Sequence, residues 1–344
     1  MTSSAPSLHA RLGVALAVAL AAVGVAALFA TLHRDTFHGD VDQLWIGARA
    51  VLGGHNPYAV IGPRGEYAQG FRLLYPLTAA LALVPLSGLS MLAARLAFVG
   101  LVSGALAFAV TKDGWQRMPL FISGSFIMAV TAAQWEPLLT AAALVPWLGW
   151  SFAAKPNIGL AIFAYRPDWR AVVGSVLLLA VSLAVQPSWP GDWRTALGTA
   201  HHFVPIVRHL GGPILLLALL RWKRAEARLL VVMACVPQTT VVYAALPLFL
   251  VAETLGENVL LALLTSAALA AQLFIGAHSG SSDTDLTAWA AYVYRVGDAL
   301  LWIVFVPCLV MVLRRKNEGE VPAWLARVSA VVGERAARAR RASA

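Results

Sequence analysis

The stretch between the first two long apolar runs of the chain reads GDVDQLWIGARAVLGGHNPY and covers residues 39–58. It holds two carboxylates, Asp40 and Asp42, in a chain of which only 12% of the residues are charged. The apolar residues that follow recur at helical spacing and are Val41, Leu44, Trp45, Ala48, Val51 and Leu52. Gly53-Gly54 and Asn56-Pro57 then predict the end of the helix. The stretch therefore predicts an amphipathic helix at a membrane interface.

The composition of the whole chain is that of an integral membrane protein. Of the 344 residues, 59% are hydrophobic, and the mean hydropathy of +0.72 exceeds what a water-soluble core requires. A spanning helix needs about 20 mostly apolar residues. The length therefore predicts an all-α, polytopic transmembrane bundle of roughly eight to eleven spans, and the alternation typical of a membrane β-barrel is absent from the sequence.

The distribution of basic residues predicts the orientation of this bundle. The net charge of +9 could suggest a nucleic-acid partner, but the Lys and Arg residues lie at the ends of apolar runs and in the tail. Arg11 precedes the first run, which is too long for a signal-peptide core, so we expect a cytoplasmic N-terminus and an external loop over residues 33–75. Clusters at Lys112, Arg166, Arg221 and Arg314 agree with this orientation. We expect a multi-pass protein of the plasma membrane with both termini in the cytoplasm and no nucleic-acid partner.

The chain divides into a membrane domain, residues 1–313, and a basic tail, residues 314–344. The tail has eight Lys or Arg against three Glu, which gives it five of the nine net positive charges. Because Trp324-Leu325 and further apolar residues are interspersed, one interpretation is an amphipathic segment on an anionic lipid surface. The other interpretation is a solvated tail.

Asp40 and Asp42 could act together or separately, depending on the backbone between them. In an extended segment both side chains would face one side and could share a divalent cation or a polyol, whereas in a helix they would diverge. Asp40 and Gln43 also have the spacing of a capping box, in which the first side chain satisfies free amides at the helix start. Both a capping and a functional role remain open for Asp40 at this point.

A lysine inside an apolar region is the second unusual feature. Lys155 precedes Pro156 between two apolar segments, which predicts a broken helix. Irregular backbone at membrane depth is tolerated only against protein or a wet cavity. An ionisable residue at that depth is costly and usually functional, although a lysine side chain can also extend to the interface.

At these positions the chain resembles glycosyltransferase family 87, which belongs to the GT-C membrane glycosyltransferases. The matching positions of the first outer loop are Gly39, Asp40, Trp45, Ala48, Arg49, Gly53, Gly54, Pro57 and Tyr58. The similarity continues at Tyr75-Pro76, Pro85-Leu86, Gln134 and Lys155-Pro156. It is specific over residues 39–86 and looser as far as about residue 165.

The resemblance implies a GT-C-like fold and an enzyme that takes mannose or a related hexose or pentose from a polyprenyl-phosphate donor. The acceptor would be a lipid or a cell-envelope glycan at the outer face of the membrane. By the resemblance Asp40 is the general base, since a positioned carboxylate can take the proton of an attacking hydroxyl. Attack opposite the phosphate would invert the anomeric centre.

Further residues are candidates for substrate binding. Lys155 and Arg49 could offset the charge of the leaving phosphate, Gln134 and Glu136 could bind sugar hydroxyls or cap helices, and Asp42 could bind substrate or a cation. Tyr58 and Tyr75 could stack on a sugar ring or anchor the chain at the interface. His201 and His202 are weaker candidates without a complete set of metal ligands. No cofactor is required, and a divalent cation stays an open alternative.

Two other functions fit the same composition. A transporter or flippase for a lipid-linked glycan would also need an apolar groove with a few polar residues, but no inverted internal repeat is visible. A non-catalytic membrane scaffold would use the stretch over residues 39–58 only as an interfacial anchor.

Overall fold

The computed structural model of the protein describes residues 6–33, 39–68, 71–279 and 286–323, which are almost wholly helical. From Trp324 onward the predicted basic tail lies outside the described residues. The α-helices in chain order are α1 (Leu8–Leu32), α2 (Asp40–Leu52), α3 (Pro57–Val60), α4 (Leu77–Ala82), α5 (Met91–Val110), α6 (Gly124–Thr131), α7 (Glu136–Ala142), α8 (Pro156–Tyr165), α9 (Trp169–Val185), α10 (Trp189–Leu197), α11 (Ala225–Cys235), α12 (Leu255–Ser279), α13 (Leu286–Leu300) and α14 (Val306–Leu313).

Shorter elements connect these helices. The 3₁₀ helices are Val84–Leu86, Met118–Ile122, Pro146–Ala153, Ile206–Arg208, Gly212–Arg221 and Val242–Leu250, and one π-helical turn, Leu301–Phe305, joins α13 to α14. Two short strands, β1 (Ile61–Gly62) and β2 (Tyr67–Ala68), pair in parallel. The prediction of an all-α chain is confirmed for the described residues.

Within the described residues, four helices are long and apolar enough to cross a membrane. They are Leu8–Leu32, Met91–Val110, Leu255–Ser279 and Thr287–Leu313. The count rises to five if α9 and α10, which meet at an angle of 101°, form one broken span. Hydropathy alone predicted roughly eight to eleven spans. The number is lower because prolines divide several apolar runs into helices too short to cross alone, as Pro146 and Pro156 do on either side of Lys155.

The basic clusters near the helix ends lie close to one another in pairs. The Arg11 side chain donates to the Phe108 carbonyl at 2.7 Å, so the start of α1 lies beside the end of α5. Arg228 donates to the Ala164 carbonyl at 2.9 Å, close to the end of α8. Arg221 donates to the Leu313 carbonyl at 3.0 Å, at the end of α14.

Ion pairs hold the end of α14 to α11 and α12. Arg315 contacts Glu226 at 3.1 Å and Glu257 at 2.8 Å and also donates to the Val251 carbonyl at 2.7 Å. Arg224 pairs with both Glu226 and Glu253. Because three carboxylates share two guanidinium groups, every charge of this network has an opposite charge beside it.

Helix α2 ends where its sequence predicts. Its side chains Val41, Leu44 and Ala48 are fully buried. At its end Gly54 has a φ of 74°, while the His55 amide donates to the Ala50 carbonyl at 2.8 Å. These are the features of a helix end closed by a left-handed glycine. The helix is buried on more than the predicted stripe, however, since Ile46 is also buried whereas Leu52 is exposed.

A buried ion pair fixes α2 against α5. Asp42 has no exposed surface, and Arg95 is 7% exposed. The Arg95 Nε atom lies 2.9 Å from Asp42 Oδ1, and the guanidinium also bonds the second carboxylate oxygen. That second oxygen accepts the Gly39 amide at 3.1 Å, so Asp42 closes the start of the helix as well. Because the pair fixes the start of α2, it also fixes the position of Asp40, the first residue of that helix.

Removing one member of this pair should destabilise the protein more than removing both. Arg95→Met leaves a buried carboxylate without a counter-charge, and we expect a loss of about 3–5 kcal/mol in the free energy of unfolding. The double variant Asp42→Asn with Arg95→Met should recover part of that loss. Unfolding of the detergent-purified variants by heat or denaturant measures the loss and its recovery. Arg64→Met, at an exposed position, is the control. Equal stability of Arg95→Met and Arg64→Met would contradict the structural role.

Candidate functional site

Five of the predicted site residues meet in one cluster, which we call the Asp40–Lys155 cluster. Its members are Asp40, Tyr75, Gln134, Glu136 and Lys155, and they come from four separate segments of the chain. The Tyr75 hydroxyl donates to Asp40, the Lys155 ammonium donates to Gln134 and Glu136, and the Tyr75 oxygen lies 3.3 Å from Gln134 Oε1, where the two halves of the cluster meet. The sequence predicted each residue separately, and the fold brings them together.

Asp40 is the first residue of α2 and is partly exposed. Its Oδ2 atom accepts the Tyr75 hydroxyl at 2.6 Å. Within the described ranges, no hydrogen bond is recorded to its other oxygen, Oδ1. The capping box of Asp40 and Gln43 is not formed, because Gln43 Nε2 donates instead to the carbonyls of Phe71 and Arg72, at 3.0 and 3.2 Å. The helix start uses Asp42, and the carboxylate of Asp40 therefore stays available for chemistry.

Tyr75 is held in place through its backbone. The Tyr58 hydroxyl donates to the Tyr75 carbonyl at 2.9 Å, and the Trp193 indole donates to the Leu74 carbonyl at 2.8 Å. Burial, and then the charge of Asp40, raise the pKa of Tyr75 well above its ordinary value. Its phenol therefore remains protonated and donates its hydrogen bond to the carboxylate.

A tight turn at the end of α6 presents Gln134 and Glu136 to the cluster. Ala133 has a φ of 50°, and the Gln134 amide donates to the Ala129 carbonyl at 2.9 Å. A left-handed conformation is unfavourable for alanine because of its Cβ atom. Such strained residues persist where surrounding packing fixes them and occur often at functional sites. The buried side chains of Gln134 and Glu136 follow directly from this turn.

Lys155 lies at the predicted helix break. The 3₁₀ helix Pro146–Ala153 ends just before it, and α8 begins just after it at Pro156. Its Nζ atom donates to Glu136 Oε1 at 2.7 Å and to Gln134 Oε1 at 3.0 Å. Because an ammonium only donates, the oxygen of the Gln134 amide must face it. The Nζ atom also lies 5.0 Å from the centre of the Tyr243 ring and 5.7 Å from that of Tyr75.

An apolar groove of about 430 Å³ begins beside this cluster. Pro76 and Pro156, the neighbours of Tyr75 and Lys155, both line it. Its two hydroxyl-bearing residues are bonded to backbone carbonyls, Thr78 to that of Ala153 and Ser175 to that of Gly149. The groove therefore presents mainly hydrocarbon. It follows α8 and α9 and includes Leu160 and Val176 among its walls.

His202 lies in an aromatic group close to Asp40. Its ring is 4.6 Å from the ring of Phe203, 5.6 Å from that of Phe71 and 6.4 Å from that of Trp289, measured between centroids. Burial lowers the pKa of His202 to about 4, against the charge of Asp40, which raises it. His202 is therefore a neutral imidazole near neutral pH.

Five predicted site residues are not part of the cluster: Tyr58 and His202, described above, and Asp42, Arg49 and His201. Asp42 is paired with Arg95 in the core. Arg49 lies nine residues along α2 from Asp40, about 13 Å away along the helix axis, where it donates to the Ser87 carbonyl at 3.3 Å and covers the Trp45 ring. His201 is exposed.

The geometry does not bring Asp40 and Asp42 to a shared cation. The helix turns their carboxylates toward different partners, Tyr75 and Arg95. Among the residues that the structure describes, no group of three or more His, Cys, Asp or Glu is placed to hold a metal ion.

Sequence reasoning missed two residues that shape the site. Arg95 lies inside an apolar span, where an arginine is costly and needs a partner. The cost of a charge in an apolar span could have identified Arg95 from the sequence, and Asp42 could have been predicted as its partner. Tyr243, whose ring faces Lys155, gave no signal because an aromatic residue in an apolar run is ordinary.

The neutral state of His202 predicts a pH dependence of stability. Its pKa is about 4 in the folded protein, against the ordinary value of 6.5, so the unfolded chain binds more protons between these values. Stability should therefore fall as the pH is lowered from about 6.5 to about 4, by up to about 3 kcal/mol from this residue. Unfolding measured across that range should show a shallower dependence in His202→Gln. The control is His201→Gln, at the exposed neighbouring position, which should behave like the unsubstituted protein. A pH dependence of stability that is unchanged in His202→Gln would contradict the role of His202.

Comparison with known proteins adds no relative to this description. No family model, no curated protein and no solved structure matches the chain. The resemblance to glycosyltransferase family 87 therefore rests on the residues quoted above, and the function is argued from the site itself.

Proposed function

We propose that the protein is an inverting glycosyltransferase of the GT-C type, which transfers mannose or a related sugar from a polyprenyl-phosphate donor. The acceptor would be a lipid or a cell-envelope glycan on the outer face of the membrane. One observation carries the proposal: a partly exposed carboxylate, held by Tyr75, and an ammonium, held by Gln134 and Glu136, meet in one cluster beside an apolar groove. Transfer of a sugar from a lipid phosphate requires a base, a cation for the phosphate and an apolar site for the lipid, which these three features supply.

Asp40 supplies the base. A hydroxyl of the acceptor is a poor nucleophile, and transfer of its proton to a positioned carboxylate as it attacks the anomeric carbon lowers the barrier. Tyr75 orients this carboxylate by its hydrogen bond to Oδ2, which directs Oδ1 to the acceptor. Because the phenol of Tyr75 stays protonated, it does not compete for the proton.

Lys155 supplies the charge for the leaving group. As the bond between the anomeric carbon and the phosphate oxygen breaks, negative charge grows on the lipid phosphate, and a fixed ammonium stabilises that charge. The nucleophile enters on the side of Asp40 and the phosphate departs on the side of Lys155. The sugar would lie between these two residues, which accounts for inversion at the anomeric carbon.

The apolar groove supplies the place for the lipid. Its volume of about 430 Å³ holds part of a prenyl chain, and it begins at Pro76 and Pro156 beside the charged residues. Each buried methylene of such a chain contributes about 0.8 kcal/mol to binding. The groove thereby favours a donor whose phosphate is attached to a long hydrocarbon.

Replacement of the base tests the function directly. Asp40→Asn should lower the rate of sugar transfer by about 10²- to 10⁴-fold, the usual contribution of a general base. Tyr75→Phe, which only frees the carboxylate, should cost on the order of tenfold. The measurement is formation of labelled product from a labelled polyprenyl-phosphate sugar and a total lipid extract. Asp113→Asn is the matched control, because Asp113 is exposed and lies far along the chain at the end of α5.

The same assay separates this function from the two other candidates. A transferase forms a new glycosidic bond, a flippase moves the labelled lipid between leaflets without product, and a scaffold does neither. Full transfer activity in Asp40→Asn would refute the assignment of the base.

The groove predicts a dependence on the length of the donor chain. Val176→Trp places a large ring in the groove wall, so it should raise the KM for a long-chain polyprenyl donor by on the order of tenfold. The KM for a donor with one or two prenyl units should change little, since such a chain ends before that wall. Steady-state kinetics with both donors make the comparison. Leu177→Trp, at an exposed neighbouring position outside the groove lining, is the control; equal effects of Val176→Trp on both donors would contradict the placement of the lipid.

A further inference from the structure

We propose that Glu136 takes up one proton when a phosphodiester anion binds Lys155, so that donor binding is coupled to neutralisation of this carboxylate. The inference rests on the proposed function, because it takes Lys155 as the partner of the donor phosphate. It gives Glu136 a role as a positioning residue, which holds Lys155 before the donor arrives and gives it up afterwards.

Lys155 and Glu136 differ in their access to a ligand. The side chain of Lys155 is 13% exposed, whereas that of Glu136 has no exposed surface. The ammonium donates to Glu136 and Gln134, and its third hydrogen remains for another acceptor. An incoming anion can therefore reach the cation of this pair, but it cannot reach the carboxylate from solvent.

Glu136 depends on Lys155 for its charge balance. One carboxylate oxygen, Oε1, accepts the ammonium at 2.7 Å, and the other, Oε2, is buried without a hydrogen-bond partner. Across the described ranges, Lys155 is the cation that pairs with Glu136. A buried carboxylate that loses its counter-charge is far less stable as an anion than as a neutral acid.

The groups around Glu136 offer it no replacement for the counter-charge of Lys155. Asp40 on α2 adds a second negative charge, and Tyr75 and Tyr243 are neutral phenols. The guanidinium of Arg95 on α5 is already engaged with Asp42. With a bound phosphodiester, three negative charges would surround the one ammonium of Lys155, and protonation of Glu136 removes the charge that solvent cannot reach.

The proton reaches Glu136 from bulk water through Lys155, which is partly exposed and hydrogen-bonded to Glu136 at 2.7 Å, and it returns the same way when the ligand leaves, so the cycle consumes none. As a neutral acid, Glu136 carries the proton on one of its oxygens and no longer places an unpaired negative charge in the buried site. Since the complex holds one more proton than the free protein, the affinity should rise as the pH falls. Within the pH window in which the proton is taken up, the Kd should increase by about tenfold for each unit by which the pH rises.

Calorimetric titration of the purified full-length chain with farnesyl ethyl phosphate tests this coupling. This prenyl phosphodiester has no second ionisation, so the ligand itself does not titrate. Titrations between about pH 6 and about pH 8, in buffers of different ionisation enthalpy, give the number of protons bound with each ligand. We expect about one proton in the unsubstituted protein, and in Glu136→Gln no proton uptake together with a Kd independent of pH.

Two controls identify the group that takes the proton. His202→Gln removes the imidazole beside the cluster and Asp40→Asn removes the second carboxylate within it, and both variants should retain the uptake. If Glu136→Gln does not fold, the uptake by the unsubstituted protein and its persistence in these two variants still decide the question. Loss of the uptake in either of them would overturn the proposal.

The outcomes for the unsubstituted protein separate the two levels of inference. Binding that is lost in Lys155→Gln but takes up no proton would refute the role of Glu136 and leave the proposed function intact. Absence of binding, or binding unaffected by Lys155→Gln, would count against the proposed function and against this inference with it.

Discussion

A charge inside an apolar bundle is stable only beside an opposite charge, and this constraint organises the protein around Asp40. Asp42 and Arg95 satisfy each other in the core, and Glu136 and Lys155 do so at the helix break. The first pair fixes α2 against α5, and the second fixes the break before α8 against the start of α7. Asp40 is held by Tyr75 instead, and within the described part of the chain it forms no ion pair. Its carboxylate is therefore positioned by the charged pairs without being neutralised by either.

The two aspartates of α2 have different roles that one residue could not combine: Asp42 closes the helix start, and Asp40 presents a free carboxylate oxygen. A carboxylate that caps a helix start and pairs with a buried guanidinium has both oxygens engaged, as Asp42 has. Such a carboxylate has no free oxygen left to accept a further hydrogen bond. The carboxylate of Asp40 is not engaged in this way, because Gly39 precedes it and Asp42 closes the helix start. Its one strong bond, from Tyr75, leaves an oxygen free for an acceptor.

The sequence predicted the local features of the site but not its assembly. The glycines after Leu52 determine where α2 ends, and Pro156 determines that the helix breaks at Lys155, because both act through the backbone of adjacent residues. The capping role suggested by Asp40 and Gln43 was wrong, since Gln43 found partners in the distant segment at Phe71 and Arg72. Hydropathy overestimated the number of spans for a related reason. It measures how apolar a segment is, whereas a helix that crosses alone also needs about 20 residues without a break.

Proline explains why charge and hydrocarbon adjoin in this protein. Pro76 follows Tyr75, and Pro156 follows Lys155, so at both positions a polar residue precedes a new helix composed mainly of apolar residues. A residue before proline is kept out of the helical conformation, which turns the side chains of Tyr75 and Lys155 away from the helix that follows. The same two prolines then form the wall where the apolar groove begins. An amphiphilic ligand with a charged head and a hydrocarbon tail matches that boundary, and the boundary is set by the order of two dipeptides, Tyr75-Pro76 and Lys155-Pro156.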